Sequence, residues 1–135
     1  MLRQTLTPMQ HVTTTKAPVS VTTSIQLIWL MLAVNALLMA VDYDEASSDA
    51  MVFNTLLLVF NGFVAIKIAS GKNWARLAYS VLVAVDVALI LALGMEAASD
   101  FEAVVTYLSV ALEGWTLIKL FGAEAEPWFK QTRND

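Results

Sequence analysis

Four long apolar runs separated by short polar links make up most of the chain. The first, Val19 to Val41, holds 23 residues without a charge. The second covers about 50–70 and stays uncharged until Lys67, near its end. The third covers 77–95 and is interrupted only by Asp86; the fourth covers 103–121, is interrupted by Glu113 and ends with Lys119. A helix needs about 20 apolar residues to cross roughly 30 Å of hydrocarbon. A membrane β-strand needs only about 10, in alternation. The pattern predicts an all-α integral membrane protein, a four-helix bundle of four transmembrane helices within 19–123. Residues 1–18, rich in Thr with Pro8 and Pro18, are expected as a flexible tail. Residues 124–135 read as a short amphipathic tail with Pro127, Trp128 and Phe129 at the membrane interface. The four spans leave no room for a separate soluble domain. The first run is longer than the roughly 7–15-residue core of a signal peptide and no small-x-small cleavage site follows, so it reads as a signal anchor.

Composition agrees with the pattern and narrows the chemistry. Of 135 residues, 58% are hydrophobic and 15% charged, where a soluble domain has about half and about a quarter. The absence of cysteine excludes disulfides, thiol chemistry and Cys-ligated metals. A single histidine, His11, argues against zinc sites, His-based triads and haem ligation. Eight Lys and Arg against a net charge of −4 argue against nucleic-acid binding. There is no Gly-x-Ser-x-Gly elbow, phosphate loop, His-Glu-x-x-His or transition-metal ligand cluster. An intramembrane aspartyl protease also carries paired carboxylates, but its motif context is missing. The expectation is a protein that is not an enzyme, with no catalytic residues, no cofactor and no metal.

The charges also predict sidedness. Arg3 and Lys16 precede the first run, Lys67, Lys72 and Arg76 surround the second link, and Lys119, Lys130 and Arg133 close the fourth. The other two links carry Asp42, Asp44, Glu45 and Asp49, then Glu96, Asp100 and Glu102, with no basic residue. The positive-inside rule therefore places both termini and the 67–76 link in the cytoplasm. Of twelve acidic residues, seven fall outside, three inside and two within the spans.

Gly71 can end the second helix in a left-handed conformation, and Asn73 is a fair N-cap for the third. Lys72, Trp74, Arg76 and Trp128 are expected as interface or lipid-anchor residues, with the two tryptophans at the inner headgroups. Trp29 and Trp115, deeper in their spans, are expected as packing residues. The sequence Gly71-Lys72-Asn73-Trp74-Ala75-Arg76, with the later Trp128-Phe129 pair, resembles a loose group of small four-helix bacterial inner-membrane proteins. Their central turn reads Gly-Lys/Arg-Asn-Trp-Ala-Arg and their chains close on Trp-Phe. The resemblance spans roughly 20–130 and implies a bacterial inner membrane. Asp86 and Glu113 depart from that group, whose third and fourth spans are mostly plain apolar.

Those two carboxylates are the most informative residues. An acidic side chain at the bilayer centre costs about 2.5–3.5 kcal/mol on insertion scales. Asp86 and Glu113 stand near the middles of consecutive antiparallel spans, hence at nearly equal depth, and Asn61 falls there too. Asn35 and Asn54 lie roughly 7–9 Å nearer the outside at about 1.5 Å per residue. Thr106, Ser109, Glu113 and Thr116 share one face of the fourth helix. Together these residues predict a polar seam in which two carboxylates cannot both stay ionised cheaply. Three roles follow: hydrogen-bonding glue between helices, a proton or cation site, or recognition of a membrane partner. On the third helix Ala84, Ala88 and Ala92 form a small-residue ladder about 200° from Asp86 at the pitch of an α-helix. Placing the acid inside turns the ladder outward as a candidate homo-oligomer face; packing against a helix of the same chain is the alternative. The leading functional expectation is a non-enzymatic membrane protein that binds a membrane partner, as an accessory subunit or an immunity-type protein. The alternative is a proton- or cation-coupled small transporter using Asp86 and Glu113.

Overall fold

The chain threads back and forth as four long helices and one short one. The computed structural model describes residues 16–41, 48–93 and 100–132, and comprises α1 (Val19–Val41), α2 (Ser48–Ala69), α3 (Asn73–Leu93), α4 (Asp100–Leu120) and α5 (Ala125–Gln131). Among the described residues there is no strand. The first four helices are long and apolar enough to cross a membrane, which makes the chain a multi-pass membrane protein. Most of the expected N-terminal tail, with Arg3 and His11, lies outside the described residues, as do the links 42–47 and 94–99 and Arg133.

The helices form a ring: α1 packs on α2 and α4, α2 on α3, and α3 on α4 through the thinnest of the four seams. Hydrophobicity is spread almost evenly around α1 and α2, as suits helices bathed in lipid on their outer sides. Leu30, Leu37, Leu56, Val59, Val81, Leu91 and Ile118 are among the many large apolar side chains facing out of the bundle.

The packed core occupies one end of the ring. On α1 the inward stripe is Val21, Ser24, Ile28 and Met31; on α2 it is Val64, Ala65 and Ile68; on α3 it is Ala75, Tyr79 and Val83; on α4 it is Thr116 and Leu120. These steps of three and four residues keep each stripe on one helix face. Ser24 Oγ donates to its own Ser20 carbonyl at 2.8 Å and approaches the Thr116 carbonyl of α4 at 3.5 Å.

The link between α2 and α3 is residues 70–72, with α3 beginning at Asn73, one residue before the start that an Asn73 cap implies. Gly71 adopts φ +73°. Its N–H donates to the Ile68 carbonyl at 2.9 Å, and the Lys72 N–H donates to the Lys67 carbonyl at 3.0 Å. That pair of bonds satisfies the end of α2 in a Schellman turn. Asn73 does not act as the expected cap; its Oδ1 accepts from Arg76 Nε instead.

Arg76 departs furthest from expectation. It is only 7% exposed. The guanidinium lies between the rings of Phe121 and Phe129, 4.8 Å from each centroid, and Nη1 donates to the Leu120 carbonyl at 3.3 Å. It therefore satisfies the C-terminus of α4 rather than reaching headgroups. Trp128 is likewise turned inward, 8% exposed and edge-on to Phe129 at 4.8 Å. α5 folds these rings under the bundle as a plug, and Thr132 Oγ1 donates to the Gly71 carbonyl at 2.9 Å. Lys72 and Trp74 remain exposed at this end. Trp29 and Trp115 are both about half exposed; Trp29 reaches across to Gly62 of α2, where an added Cβ would lie 3.9 Å from its ring. Lys119 Nζ extends over the Trp115 ring at 5.1 Å, as a long amine does when its stem follows apolar surface.

A Cβ at Gly71 would fall 2.7 Å from Thr132 Cβ and would carry a positive φ. Gly71→Ala should therefore cost about 1–3 kcal/mol and Phe129→Ala about 3 kcal/mol. Ile118→Ala, on an outward face, should leave stability near wild type. Thermal unfolding in detergent, followed by circular dichroism, checks the ranking.

Candidate functional site: an acidic cavity between the spans

Away from α5 the inward stripes continue but change character. Beyond Met31, α1 presents Asn35, Leu38 and Met39; before Val64, α2 presents Asn61, Leu58, Leu57, Asn54 and Met51. Beyond Val83, α3 presents Asp86, and before Thr116, α4 presents Glu113, Thr106 and Glu102. Polar side chains at core positions do not close on one another as Val, Ile and Ala do. This half of the ring therefore stays open around a cavity of about 450 Å³ lined by Asn35, Asn54, Asn61, Asp86, Glu102 and Thr106 together with apolar side chains.

A second, smaller cavity of about 180 Å³ lies among α2, α3 and α4. Asp86, Glu113, Asn61 and Tyr79 line it, with Phe53, Leu57, Leu82, Val83, Val85 and Leu89. Leu57, Asn61 and Asp86 line both cavities, so the two adjoin at mid-span depth. The structure thus brings Asp86, Glu113 and Asn61 to one chamber. Asn61 Nδ2 donates to the Leu57 carbonyl of its own helix at 3.1 Å, which leaves its Oδ1 as the atom that can accept.

Ser109 is not part of this site. It lines an apolar groove between α1 and α4 with Leu30, Met31, Val34, Val105, Leu108 and Leu112. At about 100° per residue, Glu113 lies about 20° from Thr106 around α4 but Ser109 about 60°. That difference turns Ser109 toward α1. Thr116 turns the same way and is buried beside Ser24. Ala84, Ala88 and Ala92 lie exposed on the far side of α3 from the Ala75, Tyr79 and Val83 stripe.

Two site residues escape a reading of composition. Glu102 looks like part of an acidic link, but it stands in the first turn of α4, one turn before Thr106 on the cavity side. Tyr79 is hidden in an apolar run. Its spacing to Val83 and Asp86, at i+4 and i+7, is the signal that puts it on the acid's face.

No Lys, Arg or His lines either cavity. Lys130 pairs with Glu126 on α5 at 3.0 Å and, by its hydrogen bond and charge, holds the exposed Glu126 carboxyl below the usual range. The cavity lining therefore carries acidic side chains and no basic one among the described residues. No group of three or more His, Cys, Asp or Glu there is placed to hold a metal ion. The chain matches no protein-family model, no curated protein and no solved structure.

A polar cavity of this size holds water. With no native cysteine, Asn54→Cys in the cavity should react with a membrane-impermeant thiol reagent, while Ala88→Cys on the outer face of α3 should not. Equal labelling of the two would mean that the cavity is closed to water.

Proposed function

We propose that this chain is a small bacterial inner-membrane protein that acts without covalent chemistry, by binding a second membrane protein through its acidic cavity. An accessory subunit or an immunity-type protein against a membrane-active toxin has that role. The observation that carries the reading is the contrast between the two ends of the ring. One end is sealed by its own side chains, whereas the other leaves the Asp86 carboxylate and the carboxamides of Asn35 and Asn54 exposed around the cavity. Uncovered acids in a bilayer are costly, and a partner that supplies hydrogen-bond donors or positive charge removes that cost. Both termini and the turn around Gly71 face the cytoplasm in this reading, because all eight basic residues gather at that level of the chain. The resemblance carried by Gly71 to Arg76 and by Trp128-Phe129 supports the bacterial inner membrane as its location.

A second reading is favoured by one specific observation, the presence of Asp86 and Glu113 in the same chamber. That pair suits a proton- or cation-coupled transporter, assembled as an oligomer through Ala84, Ala88 and Ala92.

Two measurements test these proposals. In a chain without native cysteine, Lys72→Cys should react with an impermeant reagent only after the inner membrane is opened. Reaction in intact spheroplasts would reverse the topology. Combining Asp86→Asn with Glu113→Gln should abolish co-purification of the partner while leaving liposomes containing either protein equally tight to protons. A proton or cation flux that the double substitution removes would instead establish the transporter reading.

A further inference from the structure

The smaller chamber holds two polar atoms with no partner. Tyr79 is 3% exposed, and its hydroxyl makes no hydrogen bond; Glu113 Oε2 is buried and also makes none. Buried polar groups are almost always paired, and each exception asks for a missing partner. Both orphans line one small space that also receives Asp86 and Asn61. Every polar group there can accept: two carboxylates, the Asn61 Oδ1 and the phenol oxygen. None carries positive charge.

The rest of the chamber limits what enters it. Phe53, Leu82, Val85 and Leu89 supply an apolar wall, which suits neither a hydrated metal ion nor an anion. A cavity with mostly apolar lining and a few convergent polar atoms is the usual form of a small-molecule site. The matching ligand has a positive, N–H-bearing head and a short hydrocarbon body. Its three N–H donors would be shared among four acceptors, the two carboxylates, the Asn61 Oδ1 and the phenol oxygen. Tyr79 and Phe53 also line the space, and an aromatic ring within about 6 Å attracts a cation. A positive charge between Asp86 and Glu113 also removes their mutual repulsion in a low-dielectric space.

We infer that the chamber bounded by Tyr79, Asp86, Glu113 and Asn61 is a binding site for a compact alkylammonium cation. The site belongs to the chain alone and stands independently of the partner proposed above. A free amine and the lysine side chain of a transmembrane partner carry this same group.

The test uses the purified full chain in detergent, titrated with n-butylammonium at constant ionic strength and followed by calorimetry and thermal midpoint. Saturable binding is expected for n-butylammonium but not for 1-butanol or sodium. Trimethylbutylammonium, which keeps the charge but has no N–H, should bind about tenfold more weakly or worse. Asp86→Asn and Glu113→Gln should each weaken n-butylammonium about tenfold or more, and Tyr79→Phe a few-fold, with helical content and elution unchanged. Absence of saturable binding, equal binding of 1-butanol, sodium or the trimethyl compound, or unaltered affinity in the two acid variants would each overturn the inference. The trimethyl comparison needs only the wild-type chain, so it decides even if a variant fails to fold. Displacement of a captured partner by n-butylammonium would identify a lysine as the source; binding without displacement would identify a free amine.

Discussion

The Arg76 guanidinium joins three helices at one point. It starts from α3, donates to the last carbonyl of α4, and lies between Phe121 at the end of α4 and Phe129 of α5. Each ring contact is worth about 0.5–2 kcal/mol once desolvated, and the hydrogen bond satisfies a helix end that would otherwise need water. A lysine there would keep the charge but not the planar fork that stacks and donates at once. With this joint in place the α2–α3 turn, the end of α4 and the plug of α5 meet, and Val21, Ile68, Ala75 and Leu120 close fully around them.

Closing one end explains why the other is open. Helix packing in lipid depends on close fit and on hydrogen bonds rather than on exclusion of water. Ala65, Ala75, Ser24 and Thr116 allow close approach at the sealed end. At the open end Asn35, Asn54, Asp86 and Glu102 occupy the corresponding inward positions and line a cavity. The same four stripes thus build a core and a cavity in series, and the change falls where Val83 gives way to Asp86.

The spans were legible because twenty apolar residues in a row allow few other structures. Asp86, Glu113 and Asn61 were legible as a group because antiparallel neighbours with short links fix relative depth. Arg76 and Trp128 were not. Cations and tryptophans at the end of a span ordinarily face headgroups, and nothing near Arg76 in sequence announces that Phe121 and Phe129 will arrive on either side of it. Ser109 shows another limit: residues three and four apart share a face only within some tens of degrees, and that spread is enough to assign neighbours on α4 to different seams. Tyr79 was readable in principle, since its spacing to Asp86 is regular, but an aromatic residue within an apolar run draws no notice until its hydroxyl is found without a partner.

The clamp from Thr132 to Gly71 has a consequence for assembly. α5 follows all four spans in the chain, whereas the turn it grips lies between the second and third. During synthesis, α2 and α3 are therefore complete well before the rings that will enclose Arg76 exist. Until then that guanidinium has only Asn73 Oδ1, water and lipid phosphates to satisfy it. The final folding step is an exchange in which the arginine gives up the membrane surface for two phenyl rings. The sealed end of the bundle acts as a latch that only the C-terminal helix can throw.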